Sequence, residues 1–215
     1  VDPGEVTGVD LSISMLGLAH RRSADAGIAN VRVEVGDVAD GRIPGAPYDA
    51  AFSRFGVMFF ADPVAAFANI GDSLVPGGRL AFVCYDTPAA NPFITAPVGA
   101  ASRVLELPPH PVDAPGPFSL ADCDRTIALL TSAGFRGVTL EAGPDEAVVG
   151  NDDDLRSLAV RVLAQNPTTS GALRSADDTT RNAALDAAIE AMLPHCADGL
   201  VRMAASTWVV TARRP

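Results

Sequence analysis

Apolar positions follow two alternating periods between Val6 and Tyr85, and each period points to a different kind of element. Val6 to Asp10 reads as a short apolar strand. Ser12 is a good helix N-cap, and Met15, Leu16 and Ala19 follow at helical spacing up to a stop near Gly27. Val31, Val33 and Val35 then alternate with Arg32 and Glu34, a period-two strand closing on Gly36-Asp37. The Gly- and Pro-rich run from Gly41 to Pro47 predicts a loop, and Tyr48 to Ser53 a buried strand. Asp62 with Pro63 opens a helix carrying Val64, Phe67, Ala68 and Leu74, which Pro76-Gly77-Gly78 should stop. Leu80 to Tyr85 is almost wholly apolar, as in a strand covered on both faces.

Beyond Tyr85 the pattern changes. Prolines crowd the stretch from Thr87 to Pro117 around one apolar run, Pro97 to Leu107, which predicts a short helix plus loops. A segment of this kind, 87–118, is expected to form a lid or substrate wall. A helix over Ser119–Ser132, a strand region over Gly137–Val149, a helix opened by Asn151 to Asp154, a helix over Asp177–Leu193 and a last strand over Thr207–Ala212 complete the reading. Strands alternating with helices imply an α/β fold, a Rossmann-like, doubly wound and mostly parallel sheet. The region 137–149 and the last strand are expected to form an antiparallel pair at one edge, with helices inserted between them.

At 215 residues the chain suits a single domain, and no composition break divides it. Sixteen basic against 26 acidic residues give a formal charge of −10, which disfavours nucleic acid as a partner and favours small molecules. No apolar run is long enough to cross a bilayer, and Val1 to Asp10 lacks the basic end and apolar centre of a signal peptide, so no membrane partner and a cytoplasmic location are expected. The three cysteines, Cys84, Cys123 and Cys196, lack metal-ligand spacing, and no metal site is expected.

In open α/β sheets ligands bind at the carboxyl ends of strands, which here carry Asp10, Asp37, Ser53 with Arg54, and Tyr85 with Asp86. An acid at the first of these ends can accept both hydroxyls of a ribose, and one at the second can take the amino group of adenine. Each acid alone could equally serve as a helix or turn cap. Pro76-Gly77-Gly78 is no phosphate loop, because the chain contains no lysine.

The runs VTGVDLSISML, VEVGDV, YDAAFSRFGVMFF and DPVAAFANIGDSLVPGGRLAFVCYD, in this order, resemble class I S-adenosylmethionine-dependent methyltransferases of the bacterial small-molecule branch. The stretch GPFSLADCDRTIALLTSAGF and the terminal strand resemble the same group, so the likeness covers essentially the whole chain. The resemblance implies S-adenosylmethionine as cofactor and methyl transfer to a small-molecule acceptor. It makes Asp10 the ribose-binding acid, with Leu11 and Met15 lining the adenine. It makes Asp37 and the backbone of Val38 the readers of the adenine amino group, and sets Ser53 and Arg54 against the methionine part and the transferred methyl. Where the acceptor carries a proton a base is needed, and His110 and Asp86 are the candidates; His20, on the first helix, and His195, after the last, are weaker ones. Phe59, Phe60, Phe93 and Phe118 point to an apolar or aromatic acceptor. Asn91-Pro92-Phe93 is similar to an amine-methylating signature but follows the fifth family strand rather than the fourth, so methylation of nucleic-acid amines is not implied.

The family's glycine-rich loop should precede Asp10, and the sequence does not contain it. By the same resemblance the first strand is absent as well, from the middle of the sheet. The chain is therefore expected to be an N-terminally truncated fragment that binds cofactor poorly, and a homo-oligomer joined through its open edge is a further expectation. Two other readings remain at this point: an NAD-dependent oxidoreductase, in which Asp10 fits equally well, and a non-catalytic cofactor-binding module.

Overall fold

The computed structural model describes residues 4–41, 43–107 and 114–215. The first unit is β1 (Val6–Asp10), α1 (Ile13–Asp25) and β2 (Val31–Val35). The two strands run parallel, Val6 beside Val31 and Asp10 beside Val35. Ser12 caps α1 by accepting from the Met15 amide, as its position predicts.

Next come β3 (Tyr48–Arg54), α2 (Pro63–Asp72) and β4 (Leu74–Tyr85). Asp62 caps α2 through the Ala65 amide, and Pro63 occupies its first turn. The helix ends at Asp72 and the chain is extended from Leu74, so Pro76-Gly77-Gly78 does not stop a helix as expected. Instead these residues make a bulge, since Tyr48 pairs with Leu74 but Ala50 with Arg79, and Gly77 supplies the φ of +78° that the excursion needs.

The chain continues through α3 (Pro92–Val104), α4 (Cys123–Ser132), β5 (Arg136–Ala142), β6 (Glu146–Asn151), α5 (Leu155–Ala164), α6 (Pro167–Ser175) and α7 (Asp178–Met192). It closes with β7 (Cys196–Ala197), β8 (Leu200–Ala204) and β9 (Thr207–Arg213). Helix α4 starts at Cys123 rather than Ser119, because its cap is the Asp122 carboxylate on the Arg125 amide. The expected single strand over 137–149 is two strands that part at Gly143. The first, β5, joins β9 antiparallel in the sheet β3-β4-β9-β5, and the second, β6, pairs with β8 in the sheet β6-β8-β7. The antiparallel pair foreseen at the edge is therefore β5 with β9.

Two cores follow from this division. Phe67, Phe82, Leu74, Leu130, Phe135 and Val210 lead the one beneath the four-stranded sheet. Leu158, Leu163, Ala188, Met192 and Val201 lead the other, where α3, α5 and α7 meet the small antiparallel sheet. Helix α3 is longer than the short helix expected, and its Ile94, Pro97, Ala100 and Ala101 are buried. Among the described residues β1 pairs only with β2, and β3 only with β4, so each keeps one edge without a strand. Phe52, on β3, is 76% exposed beside that edge.

Cys84 lies fully buried in β4, with its thiol toward the Leu120 carbonyl at 3.7 Å. Burial, reinforced by Cys123 and Asp86, pushes its pKa up to about 12 from 9.0. The unfolded chain can ionise this thiol from near pH 9.0 and the native fold cannot. Its effect on stability is therefore nil below that pH, and stability should fall by about 1.4 kcal/mol per pH unit above it. Tyr85, Cys123 and Cys196 are raised too and act with the same sign. Urea unfolding followed across pH 9 checks this, and Cys84→Ala should flatten the slope; an unchanged slope in that variant would contradict it.

Candidate functional site

The strand ends form two clusters. In the first, the β1–β2 register sets Asp10 at the same end as Gly36-Asp37, and the Gly36 amide donates to the Asp10 carbonyl at 3.2 Å. Asp10 Oδ1 accepts from the Ser12 amide at 2.7 Å, and Asp37 Oδ1 accepts from the Ala39 amide at 2.8 Å. Each carboxylate thus closes its own turn with one oxygen, while Oδ2 has no protein donor among the described residues. Both acids are exposed. Beside Asp10, Leu11 is 68% and Met15 58% exposed, an apolar pair in water next to a carboxylate. Val38 is fixed from outside this unit: Asn69 of α2 donates to its carbonyl at 2.7 Å, and its side chain packs on the first core.

The second cluster gathers at the ends of β3 and β4. The Phe55 amide donates to the Val83 carbonyl, and its φ of +61° is a left-handed conformation that a bulky residue rarely adopts. This turn lays the Phe55 ring on Tyr85 with centroids 4.3 Å apart and planes 14° apart. Phe93 meets Tyr85 edge-on at 5.5 Å, and Phe118 lies at 6.2 Å. The turn bearing Phe118 is held by Gly116 and Ser119, which both donate to the Met58 carbonyl. Burial raises the Tyr85 phenol above its ordinary pKa, and the nearby Arg54 guanidinium partly offsets this.

Asp86 follows Tyr85. One carboxylate oxygen accepts from the Thr87 amide at 2.6 Å and the other from the Ser206 hydroxyl at 2.9 Å. Fully buried Asn91 completes the arrangement: its amide nitrogen donates to the Asp86 and Thr87 carbonyls, both at 3.0 Å, and its oxygen accepts from the Ser206 amide at 2.9 Å. This latch joins the end of β4, the start of α3 and the turn between β8 and β9, and so ties the two cores together. Asn91→Ala removes three hydrogen bonds to backbone groups, of which only the Thr87 carbonyl keeps another donor among the described residues, the Ala90 amide, and should cost about 2 to 3 kcal/mol, read by urea unfolding. A loss below about 0.5 kcal/mol would show that water replaces the latch.

The structure thus brings Asp10, Leu11, Asp37 and Val38 to the end of one sheet and Ser53, Arg54 and Asp86 to the end of another. No hydrogen bond or ion pair joins the two sets among the described residues. His110 lies outside the described residues. His20 is exposed on α1, and His195 sits in a short turn after α7, both as expected. Sequence reasoning missed Asn69, Asn91, Ser206 and the backbone conformation of Phe55. Only Asn91 carried a signal, as a helix-opening Asn before proline. Among the described residues no group of acids, histidines and cysteines could hold a metal ion, and no helix is long and apolar enough to cross a membrane.

With this geometry in view, residues 1–78 match a family described as a methyltransferase domain. Over 107 residues the chain is 30% identical to aklanonic acid methyltransferase of a Streptomyces species, covering 50% of this chain and 43% of that protein. Over 89 residues it is 37% identical to demethylmenaquinone methyltransferase of Deinococcus radiodurans, covering 41% of this chain and 36% of the relative. The matches thus span less than half the length of these relatives. Among solved structures, phosphoethanolamine N-methyltransferase 2 of Haemonchus contortus, in complex with phosphomonomethylethanolamine and S-adenosylhomocysteine, aligns at TM-score 0.55 and 18% identity. That alignment covers 99% of this chain and 44% of the other. These likenesses favour the methyltransferase reading over the NAD-dependent oxidoreductase one.

Proposed function

Since residues 1–78 match a methyltransferase-domain family and the chain has the fold of class I S-adenosylmethionine-dependent methyltransferases, we propose that it serves methyl transfer from S-adenosylmethionine to a small organic acceptor in the cytoplasm. The observation that carries this reading is the pair of acids ending β1 and β2, each with one carboxylate oxygen left over beside exposed apolar side chains.

These residues fit the nucleoside half of the cofactor. Asp10 Oδ2 accepts from ribose hydroxyls, Leu11 and Met15 cover the adenine, and Asp37 with the Val38 backbone takes its amino group. Burying Leu11 and Met15 against a planar base removes apolar surface that the free protein leaves in water. Ser53 and Arg54 face the methionine part and the methyl group. When bound, the cofactor supplies a sulfonium-activated methyl, so the chain's own task is alignment of the acceptor and exclusion of water. The half-buried rings of Phe55, Tyr85, Phe93 and Phe118 suit the second task, and segment 87–118 thereby contributes a wall of the acceptor site.

Asp86 is better suited to positioning than to taking a proton, because both its oxygens already accept hydrogen bonds from Thr87 and Ser206. His110 is the base where one is needed. Incubation with isotopically labelled S-adenosylmethionine and a panel of small acceptors, read by mass spectrometry, tests the reading. It predicts an acceptor heavier by one labelled methyl; cofactor binding with no product across phenols, carboxylates, amines and activated carbons would replace transfer by binding alone.

A further inference from the structure

We propose that the aromatic cluster at the ends of β3 and β4, together with Arg54, binds a planar aromatic acceptor carrying an ionised oxygen, a phenolate or a carboxylate. The inference rests on the methyl-transfer reading and names the acceptor class for that same site.

The chain has nine Phe, two Tyr and one Trp, and three of these rings, Phe55, Phe93 and Phe118, meet a fourth, Tyr85. They differ from the core rings in one respect. Phe67, Phe82 and Phe135 are 2% exposed or less, whereas Phe55, Tyr85, Phe93 and Phe118 are each only half-buried. Phe55 and Tyr85 lean on the first core and Phe93 on the second, yet each ring stays partly in water, which leaves an apolar aromatic surface uncovered. A flat ring covers such a surface best, by offset or edge-on contact. The left-handed backbone at Phe55 adds to this: a conformation that costs energy is held where it presents a ring over Tyr85.

Charge decides which flat ring. Arg54 is exposed and close enough to Tyr85 to draw its phenol down, yet it has no carboxylate partner and no hydrogen bond among the described residues. Asp86, which follows Tyr85, spends both its oxygens on Thr87 and Ser206 and makes no ion pair with it among the described residues. A guanidinium left unpaired beside aromatic faces suits an oxyanion, by fork-like hydrogen bonds. It repels an ammonium, which an aromatic cluster alone would otherwise attract.

Isothermal titration calorimetry with 2-naphthoate, cyclohexanecarboxylate and 2-naphthylmethylammonium tests this on the whole chain. Naphthoate should bind, and the saturated acid and the cationic arene should each bind at least about tenfold more weakly. Arg54→Gln and Tyr85→Leu should each weaken naphthoate by about tenfold or more. Arg54 is exposed, so its variant keeps the test decisive if Tyr85→Leu fails to fold by circular dichroism. Absence of naphthoate binding, an ammonium bound as tightly, or full affinity in Arg54→Gln each overturns the proposal. S-adenosylhomocysteine titrated separately tells the two readings apart: Asp10→Asn should weaken it and leave naphthoate unchanged. If the cofactor product fails to bind while the naphthoate pattern holds, methyl transfer falls and the aromatic-anion site stands; the reverse pattern leaves methyl transfer and removes this site.

Discussion

Phe67→Ala is expected to destabilise the protein by about 3 to 5 kcal/mol. Phe67 has no exposed surface; it meets Phe60 edge-on at 5.7 Å and stacks on Phe82 at 5.4 Å. It therefore couples α2 to β4 and to the turn after β3. Removing the ring forfeits its transfer free energy and leaves a cavity that cannot close, because Phe82, Met58 and Leu74 around it are themselves 2% exposed or less and tied to separate elements. Domains of this kind have about 5 to 15 kcal/mol in all, so the loss takes a large share of the stability. Urea unfolding by circular dichroism measures it; a loss under about 1.5 kcal/mol would mean that the core relaxes around the gap.

The largest functional effect is expected at Asp10. Asp10→Ala should weaken S-adenosylhomocysteine by about a hundredfold or more, since two hydrogen bonds to a charged acceptor are lost at about 1.5 to 3 kcal/mol each. Alanine also releases the Ser12 amide and thereby loosens the start of α1. Asp10→Asn separates the effects: its amide oxygen still serves Ser12, while the second acceptor oxygen becomes a donor. Affinity should fall at least about tenfold in Asn as well. Equal affinity in wild type and Asn would reduce Asp10 to a turn residue.

The legible elements in the sequence were those with local causes. Caps at Ser12, Asp62 and Asp177 set three helix starts, and the valines of β2 declared a period of two. Where the sequence misled, a distant partner decides. Ser119 to Leu120 look helical, yet they are drawn into turns by the Met58 carbonyl and the Thr126 hydroxyl. The region 137–149 shows one apolar pattern, but its partner β9 begins at Thr207, to whose carbonyl the Gly143 amide still donates at 2.8 Å, and beyond that point the chain pairs with β8 instead. Within the site, Asp10 and Asp37 were visible because strand ends are visible. The latch of Asp86, Asn91 and Ser206 was not, because Ser206 lies 115 residues beyond Asn91 and nothing local marks it as a partner.

The central claim is that the ends of β1 and β2 hold the nucleoside of S-adenosylmethionine, and amide-resolved NMR with S-adenosylhomocysteine tests it most directly, because it also reads weak binding in a protein of 22.1 kDa. The account predicts shifts concentrated at Asp10, Leu11, Met15, Asp37 and Val38 that NADH does not reproduce. Shifts confined elsewhere, or the same set produced more strongly by NADH, would contradict it.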